Sequence, residues 1–141
     1  MCGIFVSYGS QINLASHKKL TNHLIHRGPD NQEHLKINDN MIFGHTRLSI
    51  IDNSKASNQP FRDGYSIVLF NGMIYNYLEI KLKLKNFYNF KTKSDTEVIS
   101  AAYKYWGKKC FNEFNGMFSI IIYDLKLKEI IVARDRLGIK P

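Results

Sequence analysis

Cysteine is the residue type here best suited to nucleophilic chemistry, and one of the chain's two copies, Cys2, stands directly after the initiator Met1. A cysteine at that position is small enough for the methionine to be removed. Removal leaves one residue carrying both a thiol and a free α-amine. That amine has an unperturbed pKa of about 7.7–8.0, so near neutral pH much of it can act as a base. Nucleophile and base would then share one residue, the N-terminal form of nucleophile activation. Taken alone, a Met-Cys pair more often means a small buried side chain on a first strand. The second cysteine, Cys110, has no partner in a CxxC motif. Two such cysteines make neither a disulfide framework nor a zinc or thioredoxin-like pattern, and a reducing, cytoplasmic setting is expected. The five histidines suggest no metal site. His23 and His26 share a helix face, but no carboxylate stands at a ligand spacing. Surface or capping roles are expected for them.

The elements that must hold Cys2 in place are legible in the hydrophobic pattern. Gly3 to Tyr8 reads as a short buried strand ended by Gly9-Ser10. An amphipathic helix follows through Leu14, Leu20 and Leu24-Ile25, stopping before the breaker pair Gly28-Pro29. His34–Ile37 and Met41–His45 read as strands around an Asn38-Asp39-Asn40 turn, and Asp52 to Gly64 as a polar loop. Ser66 to Phe70 is a strand, and the Asn71-Gly72 after it is a pair usual in turns. Tyr75 to Leu84 has Leu78/Leu82 and Ile80/Leu84 at helical spacing. Ser94-Asp95-Thr96-Glu97 has the form of a capping box, opening a helix with Val98, Ile99, Ala102 and Tyr105-Trp106 on its buried face and Gly107 at its end. Met117–Tyr123 and Glu129–Ala133 close the pattern as two strands. Elements in blocks rather than strict alternation predict an α+β fold with mainly antiparallel sheets.

The chain's 141 residues suit one domain, and a 44% hydrophobic composition is that of a folded protein. No run is long enough to span a membrane, and Ile4-Phe5-Val6 lacks the basic flank of a signal peptide, so Cys2 is expected near the mature N-terminus. The net charge of +8 raises the question of nucleic acid. Lys81, Lys83, Lys85, Lys91 and Lys93 interleave with Phe87, Tyr88 and Phe90, a pattern seen in single-strand binders. No binding motif accompanies it, and a solvated helix followed by a strand accounts for it equally.

A series of motifs runs from end to end: Met1-Cys2-Gly3-Ile4, His26-Arg27-Gly28-Pro29-Asp30, Gly44-His45-Thr46-Arg47-Leu48-Ser49-Ile50-Ile51-Asp52, and Asn71-Gly72-Met73-Ile74-Tyr75-Asn76. Ser94-Asp95-Thr96-Glu97-Val98-Ile99, Gly116-Met117-Phe118 and Arg134-Asp135-Arg136-Leu137-Gly138-Ile139-Lys140-Pro141 follow in order. The series resembles the N-terminal glutaminase domain of glutamine-hydrolysing asparagine synthetases, a class II (type 2) amidotransferase domain, here covering residues 1–141. Glucosamine-6-phosphate synthases typically continue the His-Thr-Arg with Trp-Ala-Thr, where this chain has Leu48-Ser49-Ile50. The resemblance implies the N-terminal-nucleophile hydrolase fold, an αββα sandwich of two mainly antiparallel sheets flanked by helices. It also implies that Cys2 attacks the side-chain amide of L-glutamine, forming a thioester and releasing ammonia. Asn71 and the backbone N–H of Gly72 would form the oxyanion hole. Arg47 would grip the α-carboxylate, Leu48, Ser49, Ile50 and Ile51 would line the pocket, and Asp95 would pair with the α-ammonium. His26-Arg27-Gly28-Pro29-Asp30 is read as structural, shaping the turn after the first helix.

The chain departs from that family in two places. Position 73 normally holds a glutamate that helps Asp95 with the ammonium, and Met73 cannot accept that bond. A hydrogen bond to a charged group contributes about 1.5–3 kcal/mol, so weaker glutamine binding is expected. The family's final motif also continues through further strands into an ATP-dependent synthetase domain, of which no Ser-Gly-Gly pyrophosphatase loop occurs here. The domain is therefore expected to be partial and to need no cofactor or metal of its own, with ATP and Mg²⁺ serving the synthetase domain. Expected partners are L-glutamine and that synthetase domain in cis or in trans, with a homodimer admissible in the full-length protein, and neither nucleic acid nor membrane. The alternatives are a non-catalytic remnant of the fold, a domain serving amination of another carboxylate, and, more distantly, a basic nucleic-acid-binding module.

Overall fold

The computed structural model describes all residues, Met1–Pro141. Strands β1 (Gly3–Tyr8), β2 (Asn31–Asn38) and β3 (Met41–Arg47) pair antiparallel in the order β1-β3-β2. Strands β4 (Phe61–Arg62), β5 (Ser66–Ile74), β6 (Gly116–Asp124) and β7 (Ile130–Arg134) make a second antiparallel sheet in the order β4-β5-β6-β7. The helices are α1 (Leu14–Asn22), α2 (Tyr77–Leu84), α3 (Asp95–Trp106) and the short α4 (Cys110–Glu113).

Strand β5 shows why these layers stack. Its side chains alternate faces, as a strand's must. Ile67 and Leu69 meet Met41 and Phe43 of β3 between the sheets. Val68, Phe70 and Ile74 meet Ile80, Leu84, Val98 and Ile99 of α2 and α3 on the other side. Each such fully buried aliphatic side chain contributes about 1.5–3 kcal/mol. With α1 lying on β3 and β1, the layers run helix, sheet, sheet, helix. This is the α+β sandwich of two antiparallel sheets that the sequence predicts. No helix is long and apolar enough to cross a membrane.

Four local expectations are corrected. Asn71-Gly72 does not end a strand: β5 runs on to Ile74, paired with β6 from Ser66↔Asp124 to Ile74↔Gly116. The long partner strand holds it extended, so the pair lies inside the sheet. Helix α1 stops at Asn22, and Ile25–Arg27 forms a separate 3₁₀ turn, because the N–H groups of His23 and Leu24 tighten onto the carbonyls of Leu20 and Thr21. Glu97 makes no capping box. Its carboxylate accepts from Lys91 N (2.9 Å), Thr92 N (2.7 Å) and Thr92 Oγ1 (2.7 Å), while Ser94 Oγ caps α3 at Thr96 N (3.1 Å). On α3, Tyr103 is buried and Tyr105 exposed, and on α2 only the Ile80/Leu84 pair is buried, Leu78 and Leu82 facing solvent.

His17 and His45 are buried, contrary to a surface role for the chain's histidines. Burial lowers their pKa to about 4 and about 3, and burial also lowers that of His34, which stacks edge-on to His17. As pH falls below about 6.5 the unfolded chain takes up protons that these folded rings refuse, so stability is lost from there down to about 4 and 3. Asp95 on α3, raised to about 6 by burial, acts oppositely between about 6 and 3.8, one group against three. The urea midpoint is therefore expected to be lower at pH 4.5 than at pH 7.5. An equal or higher midpoint at pH 4.5 would contradict the burial of these rings in neutral form.

Candidate active site

Cys2 lies at the start of β1 and is fastened by three bonds. Gly3 N donates to Thr46 Oγ1 at 3.1 Å, Arg27 Nε donates to Cys2 O at 3.2 Å, and Leu48 N lies 3.4 Å from the thiol sulfur. Burial pushes the thiol pKa up, and the Leu48 N–H, the chain's α-ammonium and the Arg47 guanidinium pull it part of the way back. A thiol held mostly neutral needs a base to act as a nucleophile. While Met1 is attached, the Cys2 nitrogen is an amide and cannot serve. The Met1 side chain also lines the cavity, its Sδ against Lys140 Nζ.

The turn after α1 braces this corner, as its structural reading requires. A Cβ on Gly28 would come within 2.3 Å of the Thr46 carbonyl oxygen, so only glycine fits against the end of β3. Asp30 N donates to Arg47 O (3.0 Å), and Asp30 Oδ2 accepts from Ser49 N (2.7 Å).

A cavity of about 140 Å³ opens beside the thiol. Cys2, Arg47, Leu48, Ile50, Ile51, Asn71, Gly72, Met73 and Asp95 all line it. Ser49 does not, its N–H being turned to Asp30. Arg47 is only 7% exposed, far from a surface charge. Three of its guanidinium N–H groups go to Ser54 O (2.9 Å), Asn58 Oδ1 and Asp52 O, leaving two of the five that the group carries. Two donors in one plane are what a carboxylate takes. Asn71 is buried, and its side-chain Oδ1 has no hydrogen-bond partner. A Cβ on Gly72 would sit 2.1 Å from Met117 O and 2.7 Å from Phe118 Cα. Gly72→Ala is therefore expected to force β5 and β6 apart, at a cost of at least about 1–3 kcal/mol, measurable as a lowered urea midpoint. Asp95 stands at the first turn of α3 with its Oδ2 accepting from Ile74 N at 3.2 Å.

Sequence reasoning missed Gln59, Asp52, Met117 and Lys140, all on the cavity wall. Gln59 Oε1 accepts from Phe70 N (2.6 Å), and its Nε2 donates to Thr96 Oγ1 (3.2 Å). It thus ties the strand bearing Asn71 to the helix bearing Asp95. No local pattern marks a lone glutamine before Pro60. Lys140 stands in the last motif, and Asp135 directs it inward by accepting from Ile139 N (2.8 Å) and Lys140 N (3.0 Å). No group of three or more His, Cys, Asp or Glu side chains is arranged to hold a metal ion.

A thiol beside a cavity, with a guanidinium, a carboxamide and a carboxylate on its walls, set on a sandwich of two antiparallel sheets, is an arrangement suited to binding an amino acid and attacking its side-chain amide. The glutamine amidotransferase domain model matches residues 1–141, and the chain belongs to that family. It is 37% identical over 146 residues to the glutamine-hydrolyzing asparagine synthetase of Zea mays, covering 100% of this chain and 25% of that one. The second such synthetase of Bacillus subtilis is 39% identical over 153 residues, covering 100% of this chain and 20% of its own length. The amidase chry2 of Gibberella zeae is 38% identical over 120 residues, covering 83% of this chain and 18% of its own. The chain thus spans a quarter or less of these relatives' lengths.

Proposed function

We propose that this chain hydrolyses L-glutamine to glutamate and ammonia through a thioester on Cys2, as the glutaminase part of a glutamine-dependent asparagine synthetase. The observation that carries this reading is the shared cavity wall of Cys2, Arg47, Asn71-Gly72 and Asp95. With Met1 gone, the α-amine takes the thiol proton and the sulfur attacks the amide carbon. Asn71 and the Gly72 N–H hold the oxyanion, the C–N bond breaks, and ammonia leaves with the proton from the amine. Water then attacks the thioester carbon, the C–S bond breaks, and glutamate and the thiol are released. Arg47 and Asp95 hold the α-carboxylate and α-ammonium throughout.

The ammonia would serve amidation of aspartate at a synthetase part, in cis or in trans and in a homodimeric whole protein, where ATP activates the acceptor with Mg²⁺. Residues 1–141 do not fit that cofactor pair. They contain no glycine-rich phosphate loop, and both cavity aspartates, Asp52 and Asp95, already accept backbone N–H groups. An acceptor other than aspartate is the alternative that the amidase relative keeps in view. A basic, aromatic strand-binding face stays the distant alternative, with Lys81 over the Phe90 ring (4.8 Å) and Lys104 over Tyr88 (5.7 Å). The direct test is glutamine hydrolysis by protein shown by mass to lack Met1. Glutamate and ammonia in equal amounts are expected, and their absence would refute the reading.

A further inference from the structure

Lys140 is a buried cation without a counter-charge. It stands on the cavity wall, only 4% exposed, and pairs with no carboxylate. Its place is fixed through the backbone. Asp135 Oδ2 accepts from Phe118 N (3.1 Å) and from Lys140 N (3.0 Å), and Lys140 O accepts from Arg134 Nε, which locks the last motif to β6. The one acceptor its Nζ touches is Met1 Sδ, a weak one. Removal of Met1 takes that thioether away and leaves a free α-amine on Cys2. Only the methionine side chain and one peptide bond separate Sδ from that nitrogen, so Nζ stands within roughly 10 Å of it. A neutral amine can accept an N–H from such a neighbour, whereas an ammonium meets it as a like charge.

We propose that Lys140 is a positioning residue for the base of the reaction, holding the α-amine of the Met1-free chain in its neutral form near neutral pH. The inference rests on the glutaminase reading, in which that amine takes the thiol proton. Other charges face the same corner from the elements around it. Arg27, in the turn after α1, lies on Cys2 O and acts in the same direction as Lys140. In the glutaminase reading, Arg47 at the end of β3 and Asp95 at the start of α3 are answered by the carboxylate and ammonium of glutamine. Asp52 has its carboxylate oxygens on Ser54 N and Lys93 N, each at 2.8 Å, and its carbonyl on Arg47. Lys140 is thus the cation of the wall that neither a carboxylate nor the substrate neutralises. At about 10 Å in a partly buried site, one unit charge moves a neighbour's titration by about one pH unit. An amine that ordinarily titrates at about 7.7–8.0 is then a free base at about pH 7. The ionised thiol would pull the other way, so the amine is best titrated without it.

Met1-free protein carrying Cys2→Ala keeps the amine and lacks the sulfur. Its α-amine would be acetylated with acetic anhydride across a pH series and followed by the mass of the N-terminal peptide, since only the neutral amine reacts. Adding Lys140→Met is expected to raise the midpoint by about one pH unit, and Lys140→Arg, which keeps the cation, to leave it low. In Met1-free protein with Cys2 intact, Lys140→Met should lower kcat/KM for glutamine about tenfold at pH 6.5 and little at pH 9. Lys140→Gln carries both comparisons if methionine at 140 does not fold. A midpoint that stays or falls when the charge is removed overturns the inference. So does an equal loss of kcat/KM at every pH, the mark of a merely structural side chain. The amine titration needs no turnover, so a raised midpoint without glutamine hydrolysis upholds the hold of Lys140 on the amine and removes the glutaminase reading. Hydrolysis with an unmoved midpoint does the reverse.

Discussion

Cys2→Ala is expected to abolish glutamine hydrolysis while leaving the fold and the substrate cavity in place. Alanine at position 2 also permits removal of Met1, so the variant keeps the α-amine and loses only the sulfur. Of the three bonds that fasten this corner, those from Gly3 N to Thr46 Oγ1 and from Arg27 Nε to Cys2 O survive and only that from Leu48 N to the sulfur is lost, while the pairing of β1 with β3 is unchanged. Arg47 and Asp95 are untouched, so glutamine binding persists without turnover. Removing the nucleophile from a hydrolase that works through a covalent intermediate can lower kcat by a factor on the order of 10⁶. Ammonia release should thus fall to the level of the buffer, while the urea midpoint and the affinity measured by calorimetry stay close to those of the parent. Residual activity within tenfold of the parent would place the nucleophile elsewhere.

The second large effect is expected at Asn71. Its carboxamide is buried on the cavity wall with Oδ1 unpartnered, a costly arrangement unless a bound group completes it. The oxyanion formed at the amide carbon during attack by Cys2 is itself an acceptor and would take the Nδ2 N–H of that carboxamide, not its Oδ1, and a donor to the oxyanion acts mainly in the transition state. Asn71→Ala is therefore expected to lower kcat by about 10²–10³, equivalent to about 2.7–4 kcal/mol, with KM nearly unchanged. Because the side chain makes few bonds within the fold, stability should change little or rise slightly. A rise in KM at constant kcat would assign Asn71 to substrate binding instead.

The sequence carried the site further than it carried local geometry, for physical reasons. Cys2, Arg47, Asn71-Gly72 and Asp95 are far apart in the chain, yet their motifs survive as short strings, and the structure brings them to one cavity. Strands β1, β3, β6 and β7 follow from apolar runs bounded by turn residues. Asn71-Gly72 misled because the pair's turn preference is local, whereas pairing with β6 across nine residues decides its conformation. Glu97 misled likewise, since three donors from Lys91 and Thr92 outcompete one N–H at the helix start. Gln59 and Lys140 were illegible as site residues. Their positions depend on bonds to Phe70 and Thr96 and on the grip of Asp135, none of which has a signature in sequence spacing. Ser49 shows the opposite error, a motif residue whose N–H is turned to Asp30 and away from the cavity.

Whether Cys2, freed of Met1, is the nucleophile of a glutamine site can be read directly by mass spectrometry. The protein would be treated with a glutamine analogue carrying an electrophilic carbon in place of the amide, with and without excess glutamine. One adduct is expected, on an N-terminal peptide that begins at Cys2, formed slowly or not at all when glutamine is in excess. Cys110, buried and with its thiol pushed up to about 12, should stay unmodified. An adduct on Cys110, an adduct on a peptide that retains Met1, or labelling indifferent to glutamine would contradict the account.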